Sequence, residues 1–323
     1  MQEIRLGTTE LVVSDIALGT WSYGGDWGAV DVDAATRTID GALELGINFF
    51  DTAQGYGFGQ AEEILAGALW PRAEREQVVV ATKGGLRKEG DRTVRDDSAR
   101  WLRLGVEQSL RHLRTEYIDL YQVHWPDLHT PAAETGAVLN ELVEEGKIRY
   151  IGVSNYDVAQ LDELQRFVRV DTLQPPYHLF RQDIDLDLLP YCMDHGIGVL
   201  VYGALAHGLL SGSMTPDTTF APDDWRSHSP DFAGETFAAN LAVVAELEAF
   251  AAERGLSLPE LAVAWTLAHP AINVAIMGAR TLDHLHDSVA AADVKLEDDD
   301  LWEIDRIMRS AVPVRGPAPE GMQ

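Results

Sequence analysis

The sequence has few of the residues and segments that cross-link a chain or take it into a membrane. Among its 323 residues there is one cysteine, Cys192, so no disulfide can form within the chain. It contains no apolar run of about 18 residues, the length that a membrane-spanning helix needs. Its first residues lack the basic and apolar regions of a signal peptide. These absences predict a cytoplasmic protein.

Positive charge is also scarce. The chain has 25 lysines and arginines against 52 aspartates and glutamates, which gives a formal net charge of −27. Such a surface repels nucleic acids and anionic membranes, so we expect neither as a partner. Two explanations compete for the excess of acidic residues, which are adaptation to high salt and a biased genome composition. We expect a monomer or a weak homo-oligomer that acts on a small molecule.

Several familiar catalytic motifs are missing. The sequence has no Gly-x-Gly-x-x-Gly after a strand, no phosphate-binding Walker loop, no His-Glu-x-x-His and no Gly-x-Ser-x-Gly. His284 and His286 lie two apart on a predicted helix and therefore face different directions. A metal-dependent barrel hydrolase is one possible function, but the sequence offers no cluster of ligands for it, and we expect no metal.

Short apolar runs alternate with stretches of helical periodicity along the whole chain. Eight such strand–helix units predict a parallel sheet with right-handed crossovers, closed into a (β/α)₈ TIM barrel that forms one domain over residues 1–323. The predicted strands are Asp15–Leu18, Ile47–Phe50, Val78–Thr82, Ile118–Val123, Ile148–Val153, Thr172–Leu173, Gly198–Val201 and Asn273–Ile276.

Amphipathic helices are predicted between and after these strands. The predicted helices are Val32–Leu45, Ala61–Leu69, Ser98–Leu113, Thr130–Glu145, Val158–Arg169, Asp187–His195, Asn240–Arg254, Leu258–His269, Leu282–Ala291 and Asp298–Met308. Residues 1–13 are expected to form a β-hairpin that plugs the bottom of the barrel. Residues 203–239, after strand seven, have no clear period and predict a long lid loop. The Pro- and Gly-rich residues 310–323 predict a loose tail.

Four chemically active side chains gather where predicted strands end. Asp51, Lys83 and His124 each follow a strand directly, and Tyr56 lies five positions beyond Asp51 in a Gly-rich turn. In a barrel the carboxyl ends of the strands meet at one face, where active sites form. Asp51 and Lys83 can pair, and a lysine near Tyr56 favours the phenolate and makes the phenol a usable general acid. Taken singly, each residue also fits a structural role such as a helix cap, a surface charge or simple packing.

Longer segments around these residues resemble the aldo-keto reductase family, in the style of its bacterial and archaeal members. The resemblance covers nearly the whole chain and rests on residues 18–21, 48–57, 81–83, 122–126, 146–156, 174–177, 201–205, 208–212 and 276–280. It implies a (β/α)₈ barrel that reduces an aldehyde, ketone or sugar carbonyl, or catalyses the reverse reaction. Tyr56 would be the general acid, with Asp51, Lys83 and His124 as its catalytic partners.

The resemblance also implies a nicotinamide site without a Rossmann fold. Ser154, Asn155 and Gln174 would bind the carboxamide, and Tyr202 would stack on the ring. The other implied cofactor residues are Gly19, Thr20, Trp21 and Asp51 near the ribose, Gly203, Leu205, Gly208, Leu210, Ser211 and Gly212 over the pyrophosphate, and Gly278, Ala279, Arg280, Thr281, His284, Asp287 and Ser288 at the adenosine end.

The adenosine end departs from the usual family pattern. Met277, His284, Asp287 and Ser288 stand where proline, glutamine or arginine, glutamate and asparagine are common. Arg280 can still bind a 2′-phosphate as a planar fork, so NADP(H) is the first expectation and NAD(H) the second. The expected substrate pocket combines aromatic loop residues with two catalytic ones, namely Trp21, Tyr23, Trp27, Tyr56, His124 and Trp125.

A second hypothesis belongs to another functional class. A potassium-channel β-subunit branch of the same fold suggests a nicotinamide-binding regulatory or sensor subunit with little turnover. The four catalytic residues are all present, which favours an enzyme.

Overall fold

The computed structural model describes residues 1–25, 28–222, 224–279 and 282–317, without the side chains of Asp283 and His284. Eight parallel strands close into a barrel in chain order, and the last of them pairs with the first. These strands are β3 (Ile16–Gly19), β4 (Phe49–Asp51), β5 (Val79–Gly84), β8 (Ile118–Val123), β9 (Ile148–Ser154), β10 (Thr172–Gln174), β11 (Gly198–Tyr202) and β12 (Val274–Gly278). The predicted fold class and the chain position of every barrel strand are confirmed.

A hairpin plugs the bottom of the barrel, as the sequence predicts. Strands β1 (Glu3–Arg5) and β2 (Val12–Ser14) pair antiparallel. Leu6 is fully buried and packs with barrel residues such as Phe49. A Cβ at Gly7 would lie 2.5 Å from the backbone nitrogen of Gly198, at the start of β11. The backbone of the hairpin therefore touches the amino ends of the strands, opposite the face that carries the site.

Helices surround the barrel and bury their apolar faces against the outside of the strands. Their bounds are α1 (Val32–Glu44), α2 (Gln60–Leu69), α3 (Ala99–His112), α4 (Ala132–Glu144), α5 (Val158–Leu164), α6 (Leu188–His195), α7 (Gly234–Glu253), α8 (Leu258–Ala268), α9 (Leu282–Ala291) and α10 (Asp298–Met308). Within the described ranges, none of them has both the length and the apolar character needed to cross a membrane.

Two helix boundaries differ from the predictions by five residues or more. The helix after β9 ends at Leu164 instead of Arg169, and α7 begins at Gly234 instead of Asn240. Between β11 and α7 the segment expected to be a long loop contains short 3₁₀ turns at Ala206–Ser211, Trp225–His228 and Pro230–Phe232. The irregular part is therefore shorter than predicted at its C-terminal end.

A second hairpin, absent from the predictions, follows β5. Strands β6 (Leu86–Glu89) and β7 (Arg92–Arg95) pair antiparallel, with Glu89 opposite Arg92. The two intervening residues make the turn, and Gly90 adopts a φ of 63° there. This hairpin lies between β5, which carries Lys83, and α3.

The C-terminal segment is held down over its described part. Val314 is fully buried and its backbone nitrogen donates to the oxygen of Phe180. The Asn240 side chain makes two hydrogen bonds with the backbone of Val312, at 3.0 and 2.8 Å. The expectation of a loose tail therefore does not hold for residues 311–315, whereas residues 318–323 lie outside the described part of the chain.

Candidate active site

An ion pair lies at the carboxyl ends of β4 and β5. The strand register places Asp51 opposite Ala81, so Lys83 projects just beyond it. Lys83 Nζ donates to Asp51 Oδ1 at 2.5 Å and to the Thr52 carbonyl oxygen at 2.9 Å. Both charged side chains are almost completely buried. A buried charge is costly unless it is paired, so each of the two groups requires the other.

Two glutamine amides complete the surroundings of Asp51. Gln174 Nε2 donates to Asp51 Oδ2 at 2.9 Å, and Gln122 Nε2 donates to the same oxygen at 3.3 Å. Burial lowers the pKa of Lys83, and the Asp51 carboxylate opposes that effect. Gln122 was missed in the sequence predictions, although a polar residue within the apolar run Ile118–Val123 is the signal that marks it.

The phenol of Tyr56 lies beside this ion pair. Its hydroxyl is 3.4 Å from Lys83 Nζ, and the Lys83 ammonium lies 5.0 Å from the centre of the Tyr56 ring. Trp21 stacks on Tyr56 with ring centres 6.4 Å apart. A Cβ at Gly24 would lie 2.7 Å from the Tyr56 carbonyl carbon, so the loop after β3 packs directly on the backbone that carries the phenol.

His124 completes the group of four. Its ring meets Tyr56 edge to face, with centres 5.6 Å apart. Its Nδ1 is buried and has no hydrogen-bond partner in the described structure. Burial, and then the charge of Lys83, holds the pKa of His124 well below its ordinary range. A neutral imidazole can donate one hydrogen bond to a substrate oxygen without competing for its proton.

The structure gives different surroundings to three of the four aromatic loop residues expected in a substrate pocket. Trp21 lies beside Tyr56, and the Arg95 guanidinium lies 4.9 Å from the centre of the Trp125 ring, next to His124. Tyr23 is 2% exposed and its hydroxyl donates to the Ala279 oxygen, so it belongs to the core and is not open to a substrate. Trp27 lies outside the described residues.

A hydrogen-bonded network lies at the ends of β9, β10 and β11, where the nicotinamide is expected. Asn155 has a φ of 63°, and its Nδ2 donates to Ser154 Oγ and to the His124 carbonyl oxygen. The hydroxyl of Tyr202 donates to Asn155 Oδ1 at 2.8 Å, which fixes the aromatic ring. Gln174 uses its Nε2 on Asp51 and Gln122, so the atom that it can offer a carboxamide is Oε1.

The loop after β11 presents backbone to the barrel mouth. Residues 206–208 have positive φ angles, at 48°, 57° and 97°. Leu210 is fully buried, Leu205 is partly buried, and the Ser211 hydroxyl donates to the Gly208 oxygen at 2.6 Å. On the other side Gly19 ends β3, and the Thr20 hydroxyl donates to the Asp51 carbonyl oxygen. In the loop after β11, the backbone N–H groups of Ala206, Gly208 and Leu210 donate to carbonyl oxygens of residues 203 and 205.

The expected adenosine end is described only in part. Gly278 is exposed at the end of β12, and a Cβ there would meet no described atom within 4 Å. Ala279 and Ser288 are buried, whereas Asp287 is exposed. Arg280, Thr281 and the side chain of His284 lie outside the described residues. The uncovered strand end at Gly278 and the amides at β9 and β10 fit a nicotinamide dinucleotide laid across the barrel mouth.

No group of three or more His, Cys, Asp or Glu side chains within the described ranges is arranged to hold a metal ion. The acid–base residues Asp51, Tyr56, Lys83 and His124 do meet at one point, on the face of the barrel where active sites form. A closed parallel barrel with this cluster beside an amide network defines a barrel-type oxidoreductase.

Comparisons with known proteins agree with this class. The Aldo/keto reductase family profile matches residues 15–309. The chain is 40% identical over 314 residues to aldo-keto reductase YhdN of Bacillus subtilis, covering 97% of this chain and 95% of that protein. It is 38% identical to the NADH-specific methylglyoxal reductase of Escherichia coli, covering 93% and 96%. The chain therefore belongs to the aldo/keto reductase family of NAD(P)-dependent oxidoreductases.

Solved structures show the same relationship. The glycerol dehydrogenase AKR11B4 of Gluconobacter oxydans superposes with a TM-score of 0.89 at 41% identity, covering 98% of this chain and 97% of that one. The aldo-keto reductase AKR11C1 of Bacillus halodurans, in its holo form, superposes with a TM-score of 0.80 at 29% identity, covering 97% and 98%.

Proposed function

We propose that this enzyme interconverts a small carbonyl compound and its alcohol, with Tyr56 as the general acid in the reducing direction. The observation that carries the proposal is the position of the Tyr56 hydroxyl, 3.4 Å from Lys83 Nζ and beside the His124 ring. A carbonyl oxygen placed between the phenol and the imidazole receives a proton from the first and a hydrogen bond from the second.

The buried ion pair supports proton donation by the phenol. The ammonium of Lys83 stabilises the phenolate that remains after Tyr56 gives up its proton. Asp51 keeps the ammonium charged against the cost of burial, and the two glutamine amides hold Asp51 in place. When bound, the nicotinamide cofactor supplies or accepts the hydride.

The cofactor is proposed to lie across the barrel mouth. Gln174, through Oε1, and Ser154 would hold the carboxamide, Tyr202 would face the ring, and residues 203–212 would close over the pyrophosphate. Asn155 already bonds Ser154, His124 and Tyr202, so a contact with the carboxamide would exchange one of these bonds.

NADPH is the proposed first choice of cofactor because Arg280 can fork around a 2′-phosphate. NADH is the alternative, and the name of the Escherichia coli relative supports it. Fluorescence titration with the two cofactors separates these possibilities. A lower dissociation constant for NADH than for NADPH would reverse the proposed preference.

Replacing Tyr56 tests the proposed mechanism. Tyr56→Phe removes the hydroxyl and keeps the ring, so we expect kcat to fall by about 10²- to 10⁴-fold, the usual contribution of a general acid. The dissociation constant of NADPH should stay close to the wild-type value. Steady-state assays with aldehydes, ketones and aldoses measure the first quantity, and fluorescence titration measures the second.

Tyr191→Phe is the matched control, because Tyr191 lies on the outer helix α6 and its hydroxyl bonds Asp162 and Gln165. That variant should keep normal turnover. Near-normal turnover of Tyr56→Phe would refute the role given to Tyr56. Tight cofactor binding by the wild type, without turnover of any carbonyl, would favour a regulatory or sensor subunit instead.

A further inference from the structure

The hairpin β6–β7 contacts both of the loops that carry the acid–base residues. On one side the Lys88 ammonium lies 5.0 Å from the centre of the Phe58 ring, two residues after Tyr56. Leu86 is nearly buried, and its Cδ1 would be 3.2 Å from a Cβ at Gly55. The same Cβ would be 3.8 Å from His124 Nδ1, so Leu86, Gly55 and His124 pack closely together.

On its other side the end of the hairpin contacts the turn after His124. Arg95 Nη1 donates to the Pro126 oxygen at 3.2 Å, and its guanidinium lies against the Trp125 ring. Two residues after Arg95, Asp97 forms a reciprocal pair of hydrogen bonds with Asp127. The backbone nitrogen of Asp127 donates to Asp97 Oδ2 at 2.9 Å, and that of Asp97 donates to Asp127 Oδ2 at 3.3 Å.

Asp97 has little freedom to move. It is 1% exposed, and a Cβ at Gly85 would be only 2.2 Å from its Oδ1. The hydroxyl of Thr135, on α4, donates to its carbonyl oxygen at 3.1 Å. Burying a carboxyl group is costly, yet no described residue donates to Oδ1. The contacts of this side chain indicate one role, which is to hold the Asp127 amide in place.

We propose that Asp97 is a positioning residue, which sets the place of Trp125 and His124 by holding the backbone of the turn at Asp127. The inference rests on the proposed function, because it takes Trp125 and His124 to contact the carbonyl substrate. Asp97 itself is buried and is not among the residues proposed to contact the substrate or the cofactor. Asp97 would affect the reaction through the position of the turn at Asp127.

The expected effect is larger on kcat/KM for the carbonyl substrate than on the dissociation constant of the cofactor. Asp97→Ala removes the acceptor for the Asp127 amide, so kcat/KM for the carbonyl should fall by about 10- to 100-fold, as for a misplacement near 1 Å. Cofactor affinity should change much less, because most of the nicotinamide network lies on β9, β10 and β11, and one bond, from Asn155 to the His124 carbonyl oxygen, reaches the turn side. Asp97→Asn should restore most of the activity, since the amide oxygen can still accept that bond.

Two further variants separate positioning from a general loss of folding. Asp96→Ala is the matched control, because Asp96 bonds Ser98 and Arg87 instead of the turn, and it should leave kcat/KM unchanged. In a Trp125→Ala background, Asp97→Ala should cost less than it does alone, because the two changes disturb the same contact.

The measurements are kcat and KM for the best carbonyl substrate, and the dissociation constant and stoichiometry of cofactor binding. A matching loss of bound cofactor and turnover in Asp97→Ala, or losses that multiply in the double variant, would overturn the positioning role. Wild-type activity in Asp97→Ala would also overturn it and leave the proposed function intact. A wild type that turns over no carbonyl would refute the proposed function itself.

Discussion

Several buried imidazoles are held in their neutral form. His178 is completely buried, neither of its ring nitrogens has a hydrogen-bond partner among the described residues, and it meets the His207 ring edge to face. Burial, followed by the nearby His207 and Arg181, holds the pKa of His178 well below its ordinary range. Burial also lowers the pKa of His207 to about 4. Each histidine gains a proton on unfolding wherever the pH lies between its two pKa values.

We therefore expect the stabilising contribution of these histidines to fall as the pH drops below about 6.5, because the imidazoles then bind more protons in the unfolded chain than in the native one. His178→Leu removes one such group. Between about pH 7 and pH 5 this variant should lose less unfolding free energy than the wild type, by about 1–2 kcal/mol. Urea denaturation at each pH measures the difference.

Above about pH 7 the imidazole is neutral in both states, so the gap between variant and wild type should stay constant there. This constancy is the internal control for the packing effect of the new side chain. Parallel pH profiles down to about pH 5 would show that His178 is not the group responsible.

Among the elements, the barrel strands were the easiest to predict and the hairpin β6–β7 the hardest. The buried strands are short, mainly apolar runs such as Gly198–Tyr202, whose length and spacing identify them. Strands β6 and β7 are four residues each and rich in charge, so their alternation is weak. Their available signal was Gly90-Asp91, a two-residue turn typical of hairpins.

The site was predictable for the same reason as the strands. Asp51 and Lys83 lie at the carboxyl ends of β4 and β5, and His124 directly follows β8, so barrel closure brings the three together. Tyr23 was misplaced because its hydroxyl partner, the Ala279 oxygen, lies 256 residues away in sequence. Gln122 and Asp97 escaped notice because their partners, Asp51 and Asp127, are also distant along the chain. Contacts of this kind follow from packing and not from local pattern.

The close approach of two loops gives a prediction at the scale of these elements. A Cβ at Gly24 would meet the backbone of Tyr56 and Gly57 at 2.7 to 2.9 Å, and backbone cannot rotate away. Gly24→Ala should therefore displace the Tyr56 loop and lower kcat/KM for a carbonyl by about 10- to 100-fold. Steady-state kinetics and cofactor titration measure the change.

Gly67→Ala is the matched control, since it makes the same chemical change on α2 where no described atom lies within 4 Å of the new Cβ. Alanine favours a helix, so this variant should be fully active and slightly more stable. If Gly24→Ala keeps wild-type kcat/KM, the contact between the two loops does not set the position of Tyr56.

The charge of the whole molecule opposes its compactness. A formal charge of −27 on a 35.5 kDa chain makes self-repulsion a general destabilising force. Arginines relieve it locally, as where Arg75 and Arg149 both bind the buried carboxylate of Asp119. This destabilisation follows from the charge alone, whether salt adaptation or genome bias produced the acidic residues.

We expect the melting temperature to rise as KCl increases from about 0.01 M to about 1 M. Over this range the Debye length falls from roughly 30 Å to roughly 3 Å, which screens repulsion across the surface. Differential scanning calorimetry measures the shift. A neutral osmolyte at matched osmolality is the control and should reproduce little of it. A melting temperature that does not change with the KCl concentration would mean that this charge does not limit stability.

The pairing of β12 with β3 closes the barrel, and it joins segments that are synthesised far apart in time. In this pairing Ile16 lies opposite Ala275. Strand β12, one of the two strands that pair with β3, is therefore synthesised more than two hundred residues after β3. Until then the growing sheet has open edges that can pair with other chains. The nascent protein thus passes through its greatest risk of aggregation before its last strand emerges, and chaperone binding during synthesis would matter most in that interval.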